Sequence, residues 1–187
     1  MAWLETEIRE LMIEVRPHVV ARIEEWMDRN PGFERPPEGV PLTTGFCRGV
    51  AAGVAVILAE RYPHCFWRVA GGFGIEYGDA ASPDLSEFID EEFFPGGMIN
   101  ADGEWHGHFW VTGGDPDGDE GLVVDLSADQ FGHDPVVVTQ IEDPRYRENS
   151  LLGTDEMIRP SERAWGMQLY AMWAIGEKAN RAGLRAA

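Results

Sequence analysis

Apolar residues recur at helical spacing through residues 3–29, the pattern of a helix that packs one face against a core. Pro17 falls where a first helix would end and a second would begin, because proline is tolerated in the first turn of a helix. The pattern therefore predicts two helices, or one kinked helix. Residues 30–41 are rich in proline and glycine, and they are predicted to form a surface loop.

A long apolar stretch at residues 43–60 predicts a buried helix with a cysteine near its start. Thr44 is a good candidate for the N-cap, because its hydroxyl can accept a hydrogen bond from a free N–H group of the first turn. Cys47 would then be about the third helical residue, near the positive end of the helix dipole, which favours its thiolate. The alternative is that Cys47 is a small buried hydrophobic residue, the more common fate of a free cysteine.

The middle of the chain carries the patterns of β-strands. The predicted strands are residues 65–73, 105–112, 122–126 and 136–140. A turn rich in glycine and aspartate at 113–121 joins the second and third of them, which predicts a β-hairpin with His108 on one strand and Asp125 on the other. An acidic helix at 82–95 and a closing helix at 161–182 are also predicted. Because the strands follow one another without alternating helices, the predicted fold class is α+β.

The length of 187 residues fits one domain with a substantial core, and the 44% hydrophobic content indicates a folded chain. We predict a single domain over residues 1–187. Within it, residues 1–40 would form the N-terminal helices and loop, residues 43–140 a catalytic-type core, and residues 161–182 the closing helix.

The net charge of −18 argues against nucleic acid and anionic membrane surfaces as partners. It is compatible with a basic substrate, although solubility is the simpler explanation. The sequence shows no apolar run of membrane-spanning length and no secretory leader pattern, which predicts a cytoplasmic protein. In that compartment Cys47 and Cys65 are expected to be free thiols, with a disulfide between them as the alternative.

Nucleophilic thiol catalysis needs a positioned cysteine, an imidazole within hydrogen-bonding reach and a third group that orients the imidazole. Cys47, His108 and Asp125 have the required types, and residues on one face of adjacent antiparallel strands lie close together. A tetrahedral oxyanion would accept a hydrogen bond from the backbone N–H of Cys47. Candidates for a second oxyanion donor or for substrate contacts are Gln130, Trp105 and Trp110. This chemistry requires no cofactor and no metal.

These residues resemble the transglutaminase-like branch of the papain-like superfamily. The resemblance rests on a cysteine that opens a long helix, His108-Phe109-Trp110 in a strand, and an apolar strand that ends in Asp125; it covers roughly residues 43–132. It implies that a cysteine-bearing helix packs on a small antiparallel sheet. The helices predicted at both termini from periodicity would flank this core. It also implies that Cys47 is the nucleophile, His108 the general base and acid, and Asp125 the orienting carboxylate. The implied activity is acyl transfer or amide hydrolysis on a peptide or protein substrate.

Two other functions remain open from the sequence. His106 and His108 are spaced to lie on one strand face, and Asp125 or His133 would complete a metal site of a histidine-rich metal-binding protein. Alternatively, the chain is a non-catalytic immunity or adaptor protein on the same fold, whose acidity matches a basic partner.

Overall fold

A computed structural model describes residues 2–74, 96–114, 121–148 and 158–181. Within these ranges the helices are α1 (Ala2–Arg29), α2 (Cys47–Arg61) and α3 (Pro160–Arg181), with a 3₁₀ turn at Ala128–Phe131. The strands are β1 (Phe66–Gly72), β2 (Gly97–Ile99), β3 (Trp105–His106), β4 (His108–Gly114), β5 (Leu122–Asp125), β6 (Val137–Gln140) and β7 (Tyr146–Arg147). The predicted α+β class is confirmed, while the predicted helix at 82–95 lies outside the described residues.

The described strands form two antiparallel sheets, with strand orders β1-β4-β5-β6 and β3-β2-β7. The predicted hairpin is β4 and β5, in which Val111 lies opposite Val124. The predicted strand at 105–112 is divided at Gly107, so that β3 belongs to the second sheet. Gly107 approaches the preceding segment so closely that a Cβ there would lie 2.5 Å from the carbonyl oxygen of Phe73.

Helix α1 is continuous through Pro17, so the N-terminal region is one helix of 28 residues. Its apolar face is buried against the rest of the protein, including Ile8, Val15 and Ile23 at 0% exposure. This burial offsets the hydrogen bond that proline removes from a helix interior. None of the helices among the described residues is long and apolar enough to cross a membrane.

The first sheet is buried on both faces. One face packs on the helices, through Phe109, Val111, Leu122, Val124 and Val138. The other face packs towards the second sheet, where Trp110 and Val123 meet Met98 and Tyr146. Because side chains alternate along a strand, His108 and Asp125 lie on this second face, between the two sheets.

Helices α2 and α3 cross at glycines, which lets their backbones approach closely. A Cβ on Gly166 would lie 2.6 Å from the backbone nitrogen of Gly53. We therefore expect Gly166→Ala to force the helices apart and to lower the free energy of unfolding by about 1–3 kcal/mol. Urea denaturation measures this change. Gly32→Ala is the control, since a Cβ there meets nothing within 4 Å. Equal stability of the two variants would contradict the packing described for this crossing.

Candidate active site

Helix α2 begins at Cys47 without a side-chain cap. The N-cap is Phe46, and no side chain accepts a hydrogen bond from the first turn. The predicted cap at Thr44 is wrong, because the hydroxyl of Thr44 donates instead to the carbonyl of Pro41 at 2.8 Å. Cys47 is therefore the first residue of the helix. Its N–H is one of the groups that a helix leaves without an intrahelical acceptor, and it lies at the positive end of the dipole.

His108 and Asp125 form a fully buried pair. Nε2 of His108 lies 2.6 Å from Oδ2 of Asp125, and the two residues are 0% and 1% exposed. Their proximity follows from the register of β4 and β5, which places the two side chains diagonally on one face. The strand alternation thus brings together two of the three residues named from the sequence.

The carboxylate of Asp125 accepts three further hydrogen bonds. The backbone N–H and the hydroxyl of Ser127 donate to Oδ1 at 2.8 and 3.0 Å. The hydroxyl of Tyr146 donates to Oδ2 at 3.1 Å. A buried carboxylate is tolerated only when its oxygens are paired in this way, and the donors also fix its orientation towards His108.

His108 and Asp125 each stabilise the charged form of the other. Burial by itself lowers the pKa of His108, but the charge and hydrogen bond of Asp125, together with Cys47, raise it to about 10. Burial by itself raises the pKa of Asp125, but the charge and hydrogen bond of His108, with the donors from Ser127, lower it. Both shifts favour the pair of an imidazolium and a carboxylate over the neutral pair.

Nδ1 is the ring nitrogen of His108 that does not bond to Asp125. Nδ1 is buried, and among the described residues it forms no hydrogen bond of ordinary geometry. Cys47 is nevertheless close enough to raise the pKa of His108. Such loose contacts are common in active sites that hold no substrate. Asp125 and Cys47 therefore both act on the pKa of His108.

Cys47 also lines a cleft of about 470 Å³, which is within the range of small-ligand sites. The described residues that line it are Gly45, Cys47, Arg48, Gly72, Phe73, Gly107, Phe109 and Glu162. The ring of His108 is fully buried, although its neighbours Gly107 and Phe109 reach the cleft. A ligand in the cleft would therefore meet the thiol before the imidazole.

The segment that precedes Cys47 is held by the 3₁₀ turn that follows β5. Asp129 accepts a hydrogen bond from the buried hydroxyl of Thr43 and pairs with Arg16 of α1. Gln130 accepts from the N–H of Gly45 at 3.5 Å and donates to the carbonyl of Ser127 at 2.8 Å. Residues 127–130 therefore hold both the carboxylate of Asp125 and the segment that leads into Cys47.

The other residues named from the sequence are not among the described residues that line the cleft, although Gln130 bonds to one of them, Gly45. Trp110 is 2% exposed and packs edge-on against Tyr146 at 5.1 Å, because it shares the face between the sheets with His108. Trp105 is half-buried on β3 in the second sheet. Gln130 is bonded to Ser127 and Gly45, as described above. None of the three is among the residues that line the cleft.

His106 and His108 have different hydrogen-bond partners, although only Gly107 separates them in the sequence. Nε2 of His106 lies 3.0 Å from the side-chain amide of Asn100, whereas His108 pairs with Asp125. His133 binds the carbonyl of Ile99 at 2.7 Å. Within the described ranges, no three histidine, cysteine, aspartate or glutamate residues are grouped so that they could hold a metal ion.

Three site residues were missed from the sequence. Ser127 follows the Asp125 strand directly, and a serine two residues after a buried aspartate is a recognisable turn signal. Arg48 adjoins Cys47 in the sequence and lines the same cleft. Tyr146 has no such signal, because it reaches Asp125 from a strand of only two residues.

The fold and the site define an α+β protein with a cysteine at an uncapped helix start and a buried histidine–aspartate pair near it. Comparison of the chain with protein-family models, curated proteins and solved structures finds no match.

Proposed function

We propose that the protein is a cysteine-dependent enzyme of papain-like, transglutaminase-like type, which transfers or hydrolyses an acyl group of a peptide or protein substrate. The observation that carries this proposal is the buried hydrogen bond between Asp125 and His108, near a thiol that lines a cleft and raises the pKa of His108. A buried ion pair of this kind is costly unless something requires it. Catalysis by a thiolate requires it, because the imidazolium stabilises the thiolate and later donates its proton.

In the proposed reaction the thiolate of Cys47 attacks the carbonyl carbon of an amide or thioester. The new carbon–sulfur bond forms as the carbonyl electrons move to oxygen, and the N–H of Cys47 donates to that oxyanion. The intermediate collapses and expels the amine or thiol, which takes the proton from Nδ1 of His108. Asp125 keeps the ring oriented throughout.

The acyl-enzyme is then released by a second nucleophile. Neutral His108 accepts a proton from water or an amine as that molecule attacks the thioester. Collapse of the intermediate restores the thiolate of Cys47 and the imidazolium of His108. Hydrolysis and transfer therefore use the same residues, and the identity of the second nucleophile decides between them.

The pH dependence of Cys47 alkylation by iodoacetamide tests this proposal. With Cys65→Ser as background, we expect the rate to reach half its maximum well below the value of about 8.5 for a free thiol. His108→Ala should shift this midpoint upwards, because the imidazolium that stabilises the thiolate is lost. His108→Gln repeats the test with a side chain that can still donate to Asp125.

His64→Ala is the matched control, since His64 is exposed in the turn before β1. It should leave the midpoint unchanged. A midpoint near that of a free thiol, and the same in all four proteins, would mean that Cys47 is a structural cysteine and would refute the proposed function.

A further inference from the structure

Arg48 is held in a fixed position beside the thiol. It follows Cys47 in α2, and its guanidinium carbon lies 4.6 Å from the ring centre of Phe109 and 5.2 Å from that of Phe73. Cation–π contacts of this geometry restrict a side chain that is otherwise flexible. All four residues line the same cleft.

Most of the hydrogen-bonding capacity of Arg48 is unused among the described residues. Nη1 donates to Oε1 of Glu162 at 3.4 Å, and this is a single, long contact. Glu162 is fixed independently, because its Oε2 accepts from the N–H of Arg159 at 2.7 Å and thereby caps the start of α3. A guanidinium has five N–H donors in a planar fork, so donors remain for a ligand.

The cleft has a simple charge distribution. Among the described residues that line it, Arg48 is the only cationic side chain and Glu162 the only anionic one. A single guanidinium suits one carboxylate, which it binds with two parallel hydrogen bonds. A phosphate dianion would bring twice the charge close to Glu162, with one cation to balance it.

We infer that Arg48 binds a carboxylate of the substrate, so that the cleft selects acyl donors with a carboxylate close to the reacting carbonyl. This inference rests on the proposed function and names its substrate class. Arg48 is a binding residue in this role, and Glu162 is the carboxylate with which the substrate would compete for its guanidinium. The overall charge of −18 disfavours anions at long range, so the selection depends on the local hydrogen bonds.

The test compares two small alkylating reagents at Cys47 in the Cys65→Ser background. Iodoacetate carries a carboxylate beside its reactive carbon, and iodoacetamide is its neutral counterpart. We expect the ratio of the iodoacetate rate to the iodoacetamide rate to fall roughly five- to tenfold in Arg48→Gln. Arg48→Lys should recover part of the ratio, since it keeps the charge without the fork.

Glu162→Gln is the matched control with the opposite expected sign. It keeps an acceptor for the N–H of Arg159 but removes the competing negative charge, so the ratio should rise. The longer pair 3-iodopropanoate and 3-iodopropanamide repeats the comparison with the carboxylate one carbon farther from the reacting atom. A uniform change in thiol reactivity cancels from every ratio.

The two proposals fail in different ways. Ratios that stay the same in Arg48→Gln and Glu162→Gln, for both reagent pairs, would overturn the role of Arg48 while leaving the thiol proposal intact. A ratio that falls in Arg48→Gln supports the carboxylate site even where alkylation is slow. An alkylation midpoint that is the same in wild type and in His108→Ala would refute only the proposal that Cys47 is a catalytic thiol.

Discussion

Asp125→Asn is expected to lower the free energy of unfolding by about 3–5 kcal/mol, the largest effect on stability that the structure predicts. The substitution removes the charge that faces the buried His108 and replaces one acceptor oxygen with an amide donor. That donor would face either the hydroxyl of Tyr146 and the ring of His108, or the donors of Ser127. Chemical denaturation of both proteins at several pH values measures the difference.

The pH dependence of this difference has a definite sign. The pKa of His108 is raised in the folded protein, so its contribution is fully present below about 6.5 and is lost as the pH rises through about 10. The pKa of Asp125 is lowered, so its contribution is present above about 3.8 and is lost as the pH falls. The gap in stability between wild type and Asp125→Asn should therefore be widest between about pH 4 and 6.5.

Asp134→Asn is the matched control, because Asp134 is exposed in the loop before β6. Its unfolding free energy should stay within about 0.5 kcal/mol of wild type. The ring signals of His108 in NMR spectra give an independent readout, since its pKa should fall once burial acts without Asp125 to oppose it. An unchanged His108 titration in Asp125→Asn would contradict the ion pair.

The fold was predictable where periodicity extends over enough residues. The apolar period of residues 3–29 and of α2 identified both helices, and the alternation in β4 and β5 identified the hairpin. The register of that hairpin then decides which side chains share a face, so the proximity of His108 and Asp125 was accessible from the sequence. The continuity of α1 through Pro17 was not, because it depends on tertiary packing.

Local competition for hydrogen bonds explains the misplaced helix start. The hydroxyl of Thr44 can cap a helix or close a turn, and here it bonds to the carbonyl of Pro41. The turn moves the start of α2 to Cys47, so that the cysteine occupies the first helical position without a competing cap. Sequence alone does not decide between these two alternatives, because the same hydroxyl can make either bond.

The residues around Asp125 show a second limit. Tyr146 reaches the carboxylate because β7 pairs with β2, and two-residue strands carry no recognisable period. The placement of Trp110 could have been predicted from the sequence. It is two positions from His108 and therefore shares its face between the sheets. A tryptophan on that face packs in the core, away from the cleft that Cys47 lines.

The largest effect on activity that we expect is the loss of a covalent acyl adduct when Cys47 is replaced by alanine. Incubation with an activated thioester should add the acyl mass to the intact protein, and Cys47→Ala should abolish this addition. Cys65→Ser should retain it, because Cys65 lies in the turn before β1 and is not among the residues that line the cleft. Mass spectrometry of the intact protein and of its peptides measures both the amount and the position of the adduct.

His108→Gln should slow the release of the acyl group from Cys47 much more than it slows the acylation of Cys47. An activated thioester expels a leaving group that needs little protonation, so acylation depends mainly on how much thiolate is present. Release of the acyl group needs a base to take a proton from water, and that base is absent in the variant. We expect release to slow by about 10²–10⁴-fold, so that the adduct persists after excess thioester is removed. Adducts that turn over equally fast in wild type and His108→Gln would show that His108 is not the base, whatever its distance from Cys47.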